Sequence, residues 1–367
     1  KNTSPMMFLR PEKQIIRLNP FRFHQIQPRF CKFVNMKEVV VSGIRPTGKL
    51  HLGNYFGALK NFLRLQEQFD SYFFIADYHS LTTHPTPGDL SASVKRVLAE
   101  YIALGLDPEQ CTIYFQSDLP ETAELYLFLN MNAYLGELER VTSFKEKART
   151  QPDNINAGLL TYPVLMAADI LLHRGIKVPV GKDQEQHLEM ARTFANRFNR
   201  LYNNEYFPEP QAFSFEQNLV KVPGLTGTGK MSKSAGEADT IYLDEEASVL
   251  NRKIMRAVSD SGPSEPGSPK SIPVQNLFDL MGLVSATDTI QFFEDSHKAG
   301  NIRYGDFKKQ LAADMEIFIA PLREKIQATL GDEKRLNDIA RFGAEKARVS
   351  AQKTIKEVRE IIGFSNR

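Results

Sequence analysis

Residues 42–57 constrain the fold of this chain more than any other segment, because they join a short strand to a helix through a glycine-bearing turn. Residues 39–41 are a valine run typical of a buried strand, and residues 55–69 carry apolar side chains at helical spacing. Gly48 and Gly53 would let backbone N–H groups approach a phosphate beside the positive end of the helix dipole. A tight turn whose glycines serve only packing would show the same pattern.

The alternation of strand and helix continues along the chain. Residues 71–76 predict a second strand, and Asp77-Tyr78-His79 follows where α/β sheets place ligand-binding side chains. His79 could bind a ligand or hydrogen-bond within its own loop. Residues 91–104 predict a helix and residues 111–115 a third strand. This order indicates an α/β fold with a Rossmann-like, doubly wound parallel sheet.

The pattern changes after the third strand and again after residue 240. Residues 121–158 predict a long helical stretch with a polar loop at 150–156. We interpret the stretch as part of a helical insertion at about 118–172 within a catalytic domain at 36–240. A proline-rich stretch at 259–272 reads as a linker. The residues after it are helical in pattern to the end, so we predict an all-helical C-terminal domain within 241–367.

Residues 1–35 differ in composition from the rest. They hold seven Lys or Arg residues and one acidic residue, and subtracting this +6 from the total of +2 leaves −4 for the remainder. An Arg-rich, acid-poor segment is typical of organellar targeting, which would place the protein in a mitochondrial or plastid matrix. Four prolines interrupt any amphipathic helix there and favour the alternative interpretation, an extension upstream of Met36 that does not fold. On that interpretation the protein is expected to be cytoplasmic.

Composition excludes several classes. No apolar run reaches the roughly 18 residues of a transmembrane helix, so we expect no membrane partner. The two cysteines, Cys31 and Cys111, form neither a disulfide framework nor a zinc site. Because the residues after 35 are not basic overall, any RNA contact must come from local patches.

Two short motifs, far apart in the chain, carry a family resemblance. Residues 46–54 read Pro-Thr-Gly-Lys-Leu-His-Leu-Gly-Asn and resemble the His-Ile-Gly-His element of class I aminoacyl-tRNA synthetases. Their ending in Asn54 resembles the bacterial-type tryptophanyl branch. Residues 230–234, Lys-Met-Ser-Lys-Ser, resemble the partner element, and the Thr-Gly-Thr-Gly before them would let a loop close over a triphosphate.

A single carboxylate interrupts the apolar stretch at 159–172. Asp169 is the only charge there, and a buried carboxylate costs several kcal/mol unless it is paired. It could pair within the protein, with an arginine or a helix end, or it could accept a hydrogen bond from a ligand. An indole N–H and a phenol O–H would both suit it. Asp169 alone therefore does not separate tryptophan from tyrosine.

The sequence around Asp169 favours tryptophan as the ligand. The tyrosyl enzymes have Gln where Met166 stands, and residues 180–184 resemble the tryptophanyl Val-Gly-x-Asp-Gln element. From Met36 onward the chain therefore resembles the bacterial-type tryptophanyl-tRNA synthetases. The resemblance implies activation of L-tryptophan with ATP to an adenylate, then transfer to the 3′ end of tRNA(Trp). It also implies a homodimer formed through the helical insertion and anticodon contacts by the C-terminal helices.

The resemblance assigns roles to residues of this sequence. Tryptophan would be bound by Asp169, Met166, Tyr162, Gln184 and His79. ATP would be bound by Arg45, Pro46, Thr47, Gly53, Asn54, Gly181, Lys182, Asp183, Val222, Lys230, Met231, Ser232, Lys233 and Ser234. Catalysis would depend on Lys230, Lys233, Lys147 and His51. For Lys147, an exposed charged helix face is the alternative interpretation.

The implied reaction sets simple chemical requirements. The tryptophan carboxylate is already ionised at pH 7, so no general base is needed. The site must align the reactants and neutralise phosphate charge, for which we expect the lysines, the turn's amides, His51 and Asn54 to serve. Mg²⁺ would arrive with ATP, and no tightly bound protein metal is expected. The alternatives are tyrosyl specificity, a nucleotidyltransferase with the same first motif, or an inactive RNA-binding paralogue.

Overall fold

The computed structural model describes residues 37–150, 152–181, 184–214, 220–227 and 229–364, apart from the side chain of Ser234. Lys37–Arg367 forms one compact unit. The interpretations of residues 1–35, the fate of Cys31 and the expected roles of Lys182 and Asp183 lie outside the described residues. No helix in the described ranges is long and apolar enough to cross a bilayer.

A five-stranded parallel sheet forms the centre of this unit. The strands are β1 Val39–Ile44, β2 Asp70–Ile75, β3 Thr112–Phe115, β4 Lys177–Val178 and β5 Gln211–Ala212, in the order β3-β2-β1-β4-β5. Val41 pairs with Tyr72, and Val40 pairs with Lys177. The strand order reverses between β1 and β4, as in the predicted doubly wound fold, and creates a crevice at the carboxyl ends of those strands.

The apolar strands are explained by burial on both faces of the sheet. Val40 and Phe73 belong to one buried apolar cluster. Val41 and Phe74, the next residues along, belong to a second cluster on the opposite face. Neighbouring side chains of a strand point to opposite faces, and helices cover both faces of a parallel sheet. A strand in this setting therefore shows a continuous apolar run.

The helix after β1 begins inside the first motif and is irregular. It comprises α1 Leu52–Asn54, a π-helical segment Tyr55–Leu59 and α2 Lys60–Gln68. The other helices of the sheet-bearing part are α3 Asp77–Ser80, α4 Pro87–Ala103, α5 Pro120–Asn130, α6 Leu135–Leu138, α7 Thr142–Thr150, α8 Ala157–Leu160, α9 Tyr162–Leu172 and α10 Glu185–Leu201. Single 3₁₀ turns lie at Leu81–Thr83, Gln116–Asp118, Pro152–Asn154 and Lys233–Ala235.

The helical stretch predicted at 121–158 has more breaks than the predicted loop at 150–156, which separates α7 from α8. Before that loop the segment divides further into α5, α6 and α7, and side-chain amides mark two of the breaks. Asn132 Nδ2 donates to Phe128 O at the end of α5, and Asn156 Oδ1 accepts the N–H of Leu159 at the start of α8. Asparagine competes with helical backbone hydrogen bonds and so favours helix ends.

The chain after residue 240 is helical, as predicted, in α11 Ala247–Arg256, α12 Ile272–Val284, α13 Thr287–Lys298, α14 Tyr304–Gly331 and α15 Glu333–Ile362. These helices share both apolar clusters with the sheet. Met315 of α14 lies in the cluster of Val40, and Ala351 of α15 lies in the cluster of Val41. The division into domains at residue 240 stays a prediction, since the two parts share their cores.

Candidate active site

The first motif forms a tight turn between β1 and α1. Gly48 adopts a φ of +91°, a conformation that favours glycine. The backbone N–H of His51 donates to Asn54 Oδ1 at 3.1 Å, so the last residue of the motif holds the turn in place. At Gly53 a Cβ would lie 2.8 Å from the His51 ring. Glycine at this position is therefore required by the histidine.

His51 is buried within this turn. Burial, together with the positive charge of Lys233, lowers the pKa of His51 to about 4. The imidazole is therefore neutral at pH 7. A neutral ring contributes one N–H donor and no net charge, and the expected role of His51 toward the phosphates stays a prediction.

The two motifs meet in space although they are far apart in the chain. Lys233 Nζ lies 3.1 Å from Thr47 O and 3.3 Å from Thr47 Oγ1, both hydrogen-bond acceptors in the first motif. Behind them, an isolated antiparallel bridge joins His51 to Tyr242. The lysine of one motif is thus held against the turn of the other.

Glycines shape the segment before the second motif. Gly227 and Gly229 have φ values of +83° and +75°. Met231 N–H donates to Val222 O at 2.8 Å, which closes the segment into a loop. Met231 and Val222 are buried, whereas Lys230 is exposed. Lys230 therefore points away from the core at the base of this loop, where it forms an isolated antiparallel bridge with Pro223.

A cavity of about 260 Å³ lies at the crevice between β1 and β4. The five residues expected to bind tryptophan, His79, Tyr162, Met166, Asp169 and Gln184, all line it. Arg45 and Gly181, two of the residues expected to bind ATP, line it as well. The structure therefore brings the two predicted sets of residues to one place.

Asp169 forms the polar part of the cavity wall. Its Oδ2 lies 2.8 Å from His79 Nε2, and its Oδ1 accepts from Gln116 Nε2 at 2.7 Å. Burial raises the pKa of Asp169, and the hydrogen bond from His79 is the first of the contacts that oppose the shift. The carboxylate thus has partners within the protein, but they are a histidine and an amide rather than the expected arginine or helix end.

Sequence reasoning missed Gln116. It directly follows β3, in the position that His79 and its neighbours occupy after β2, so its place at the end of a parallel strand is the signal that could have found it. The side chain is buried. Gln116 and Asp169 are 53 positions apart in the sequence, with most of the helical insertion between them, so no local pattern indicated the pairing.

Lys147 of α7 lies over the ring of Tyr162, one of the residues that line the cavity. Its Nζ lies 5.0 Å from the centre of the Tyr162 ring, within cation–π range. Burial lowers the pKa of Lys147, and the nearby charge of Arg45 lowers it further. Gln184 Oε1 accepts from His187 Nδ1 at 2.9 Å, and the His187 ring lies 5.3 Å from the Tyr162 ring. The interpretation of Lys147 as part of an exposed charged face is therefore wrong, since the ammonium lies beside the cavity.

Comparison with known proteins supports the family resemblance of the two motifs. The family model for class I tRNA synthetases (W and Y) matches residues 35–320. The chain is 59% identical to the tryptophan–tRNA ligase of Porphyromonas gingivalis, over 89% of this chain and 99% of the relative. It is 40% identical to that of Clostridium perfringens, over 89% and 98%. A crystal structure of the Campylobacter jejuni tryptophanyl-tRNA synthetase with ADP and tryptophan matches with a TM-score of 0.79 and 36% identity, over 89% and 99%.

A doubly wound sheet with both signature motifs at its carboxyl edge defines a class I aminoacyl-tRNA synthetase, and the family match agrees. Within that class, the match still covers both the tryptophan and the tyrosine branches. The identities to the two ligases decide the branch, and the chain belongs to the tryptophanyl-tRNA synthetases. The reaction of this family is the two-step aminoacylation of tRNA with tryptophan.

Proposed function

We propose that the cavity holds the tryptophan side chain and that Asp169 accepts the hydrogen bond of the indole N–H. The observation that carries this proposal is the fixed carboxylate in the cavity wall. Asp169 uses one oxygen for His79 and the other for Gln116. A carboxylate has about four lone-pair sites, so acceptor capacity remains for a ligand. Met166 supplies apolar surface to the same cavity.

The ATP site lies along the motif turn, beside this cavity. ATP enters as its Mg²⁺ complex, with the ion bound by phosphates and water. No group of three or more His, Cys, Asp or Glu side chains in the described ranges is placed to hold a metal. Arg45 joins the two sites, since it lines the cavity and its charge acts on Lys147.

Activation follows from this arrangement. A tryptophan carboxylate oxygen attacks the α-phosphorus of ATP, the bond to the bridging oxygen breaks, and diphosphate leaves. Negative charge on the phosphoryl oxygens is stabilised by Lys147 from one side and by Lys233 and Lys230 from the motif loop. His51 contributes as a neutral donor. In the second step the terminal ribose hydroxyl of tRNA attacks the adenylate carbonyl carbon and AMP leaves.

Two further assignments extend the proposal. We assign homodimer formation to α5, α6 and the short link between them, because large apolar side chains lie exposed there: Leu127 is 48% exposed, Met131 74%, Tyr134 62% and Leu135 60%. Contiguous exposed apolar surface marks protein interfaces. The helical part after residue 240 would contact the tRNA anticodon. The bacterial relatives are consistent with a cytoplasmic enzyme.

The direct test is ATP–diphosphate exchange with each amino acid in turn. We expect exchange that depends on tryptophan and is far weaker with tyrosine. Asp169 could accept a phenol O–H as well as an indole N–H, so the fit of the larger indole ring to the cavity must supply this discrimination. Equal or greater exchange with tyrosine would contradict the assignment of the cavity. Exchange with neither amino acid, in folded protein, would support an inactive paralogue.

A further inference from the structure

Helix α4 places a carboxylate directly beneath the first motif. Glu100 has no exposed surface, and its two oxygens each lie 3.2 Å from the backbone nitrogen of Leu50. Leu50 immediately precedes His51, so Glu100 accepts a backbone N–H from the middle of the turn. Arg96, one helical turn earlier, donates from Nε to Glu100 Oε1 at 3.1 Å.

The same arginine also contacts the segment that follows the second motif. Arg96 Nη2 donates to the carboxylate of Asp244, and Lys49 Nζ lies 3.2 Å from that carboxylate. Asp244 follows Leu243, whose N–H donates to Leu50 O at 3.0 Å. Both backbone groups of Leu50 are thus held, the N–H by Glu100 and the C=O by Leu243. Arg96 connects Glu100 with Asp244, the residue after Leu243.

We infer that ionised Glu100 is a positioning residue for tryptophanyl-adenylate formation, because it fixes the first motif's turn against the segment that carries Lys233. This inference rests on the proposed roles of the turn and of Lys233 in activation. Glu100 touches neither substrate in this arrangement. It acts through Leu50 on one side and through Arg96 on the other.

The hydrogen bonds explain why the ionised form is required. A carboxylate only accepts, and it faces two donors, Leu50 N–H and Arg96 Nε–H. When Glu100 takes up a proton, one of its oxygens becomes a hydroxyl that faces hydrogen-bond donors. The N–H of Leu50 and the guanidinium of Arg96 then share one uncharged carbonyl oxygen, so both contacts lose their charge assistance and the hold of α4 on the turn weakens.

Burial and the surrounding charges place the protonation of Glu100 near neutral pH. Burial raises the pKa of Glu100 to about 7, while Arg96 and the Leu50 hydrogen bond oppose that rise. Asp244 raises the pKa further and Lys233 lowers it. From α14, which packs on α4, Arg323 acts on Asp244 rather than on Glu100.

Stability and activity should respond to pH in opposite directions. The folded-state pKa of Glu100, about 7, lies above the ordinary value of 4.5. The folded protein therefore binds this proton more readily, and the contribution of Glu100 to stability rises as pH falls through that range. The positioning contact is lost over the same range. A purely structural role would not make the rate fall while stability rises.

The experiment measures the single-turnover rate of adenylate formation from about pH 5.5 to 8.5, with tryptophan affinity and Tm at each pH. For the full chain we expect an acid limb with a midpoint near 7. Glu100→Gln should slow the rate at high pH by roughly 10-fold, within the range for a lost charge-assisted hydrogen bond, and flatten the acid limb. Tryptophan affinity should stay unchanged. Arg96→Gln, which removes the opposing cation, should move the midpoint to higher pH.

The matched control is Glu333→Gln. Glu333 begins α15 and pairs with Lys95, a residue of α4, but this ion pair lies at the surface. It should keep the full rate and acid limb. A Glu100→Gln protein with the unaltered pH profile would overturn the inference. If Glu100→Gln does not fold, an unchanged midpoint in Arg96→Gln would overturn it instead. Lack of tryptophan-dependent exchange by the unaltered chain would count against the proposed function, which separates the two failures.

Discussion

Asp169 and Glu100 are both buried carboxylates, and their partners give them different roles. Asp169 is held by two side chains and borders the cavity, so it has acceptor capacity for a ligand. Glu100 is held by a backbone N–H and an arginine and has no exposed surface. Burial raises the pKa of each. What surrounds the carboxylate, and not the residue type, decides whether it binds a ligand or holds a turn.

Replacing Asp169 with Asn tests the indole contact. The variant keeps the size of the side chain but turns half of the carboxylate into a donor. We expect tryptophan affinity to fall by about 10- to 150-fold, the effect of a lost charge-assisted hydrogen bond. ATP affinity should change little. Thermal stability should stay close to that of the unaltered chain. The substitution weakens the hydrogen bonds to His79 and Gln116, but it also removes the cost of burying a charge.

The control for Asp169→Asn is Asp288→Asn, an exposed position at the start of α13. Equilibrium dialysis with tryptophan and a thermal melt on each variant give both readouts. A large loss of stability with unchanged tryptophan affinity would show that Asp169 only supports the fold.

Lysine-to-alanine variants test charge stabilisation by the second motif. We expect Lys233→Ala and Lys230→Ala to slow adenylate formation by about 10²–10³, the effect of losing one transition-state donor. Tryptophan affinity should remain, because neither lysine lines the cavity. Single-turnover kinetics and dialysis separate the two effects, with the exposed Lys334→Ala as control. Parallel losses of rate and of tryptophan affinity would instead assign the loop to substrate binding.

At the scale of elements, α15 approaches β3 more closely than any side chain would permit. A Cβ at Gly343 would lie 1.6 Å from Ile113 O, so the helix and the strand would have to separate. The helix thereby lies against the sheet, with Ala347 and Ala351 buried further along it. Small residues on one face of a charged helix thus seat it against the strand.

Gly343→Ala is expected to lower the free energy of unfolding by about 1–3 kcal/mol, as overpacking of a core does. Gly331→Ala is the matched control, because it also lies in a helix and a Cβ there meets nothing within 4 Å. That change should be neutral or slightly stabilising, since alanine is the better helix former. Urea denaturation of both variants measures the difference. Equal stability of the two would mean that α15 can shift freely.

At the scale of the whole molecule, the exposed apolar side chains of α5 and α6 predict assembly. The chain of 41.6 kDa should sediment at twice this mass. Met131→Glu with Leu135→Glu should give a monomer, because charge at the centre of an apolar interface is costly. Ile317→Glu is the control, since Ile317 is also 74% exposed but lies on α14. A monomeric unaltered chain, or a dimer in both variants, would contradict the assignment to α5 and α6.

Local sequence was enough for much of this protein. The valine run, the glycine turn and the helical spacing after it predicted β1, the motif and the helix, since turn chemistry and periodicity are properties of neighbouring residues. The same holds for the lone charge at Asp169 in an apolar helix. The polar loop at 150–156 was predicted, but the breaks between α5, α6 and α7 were missed, because asparagine caps are weak signals within a helical pattern.

Only the tertiary structure decided which groups meet and what charge they carry. Gln116 reaches Asp169 across 53 positions of sequence, and Arg96 reaches Asp244 across 148. No periodicity records such pairs. The neutral state of His51 likewise depends on burial and on Lys233, which lies in another motif. Desolvation is set by everything that packs around a group, so the sequence by itself determined the residues of the site, and the fold determined their partners and their protons.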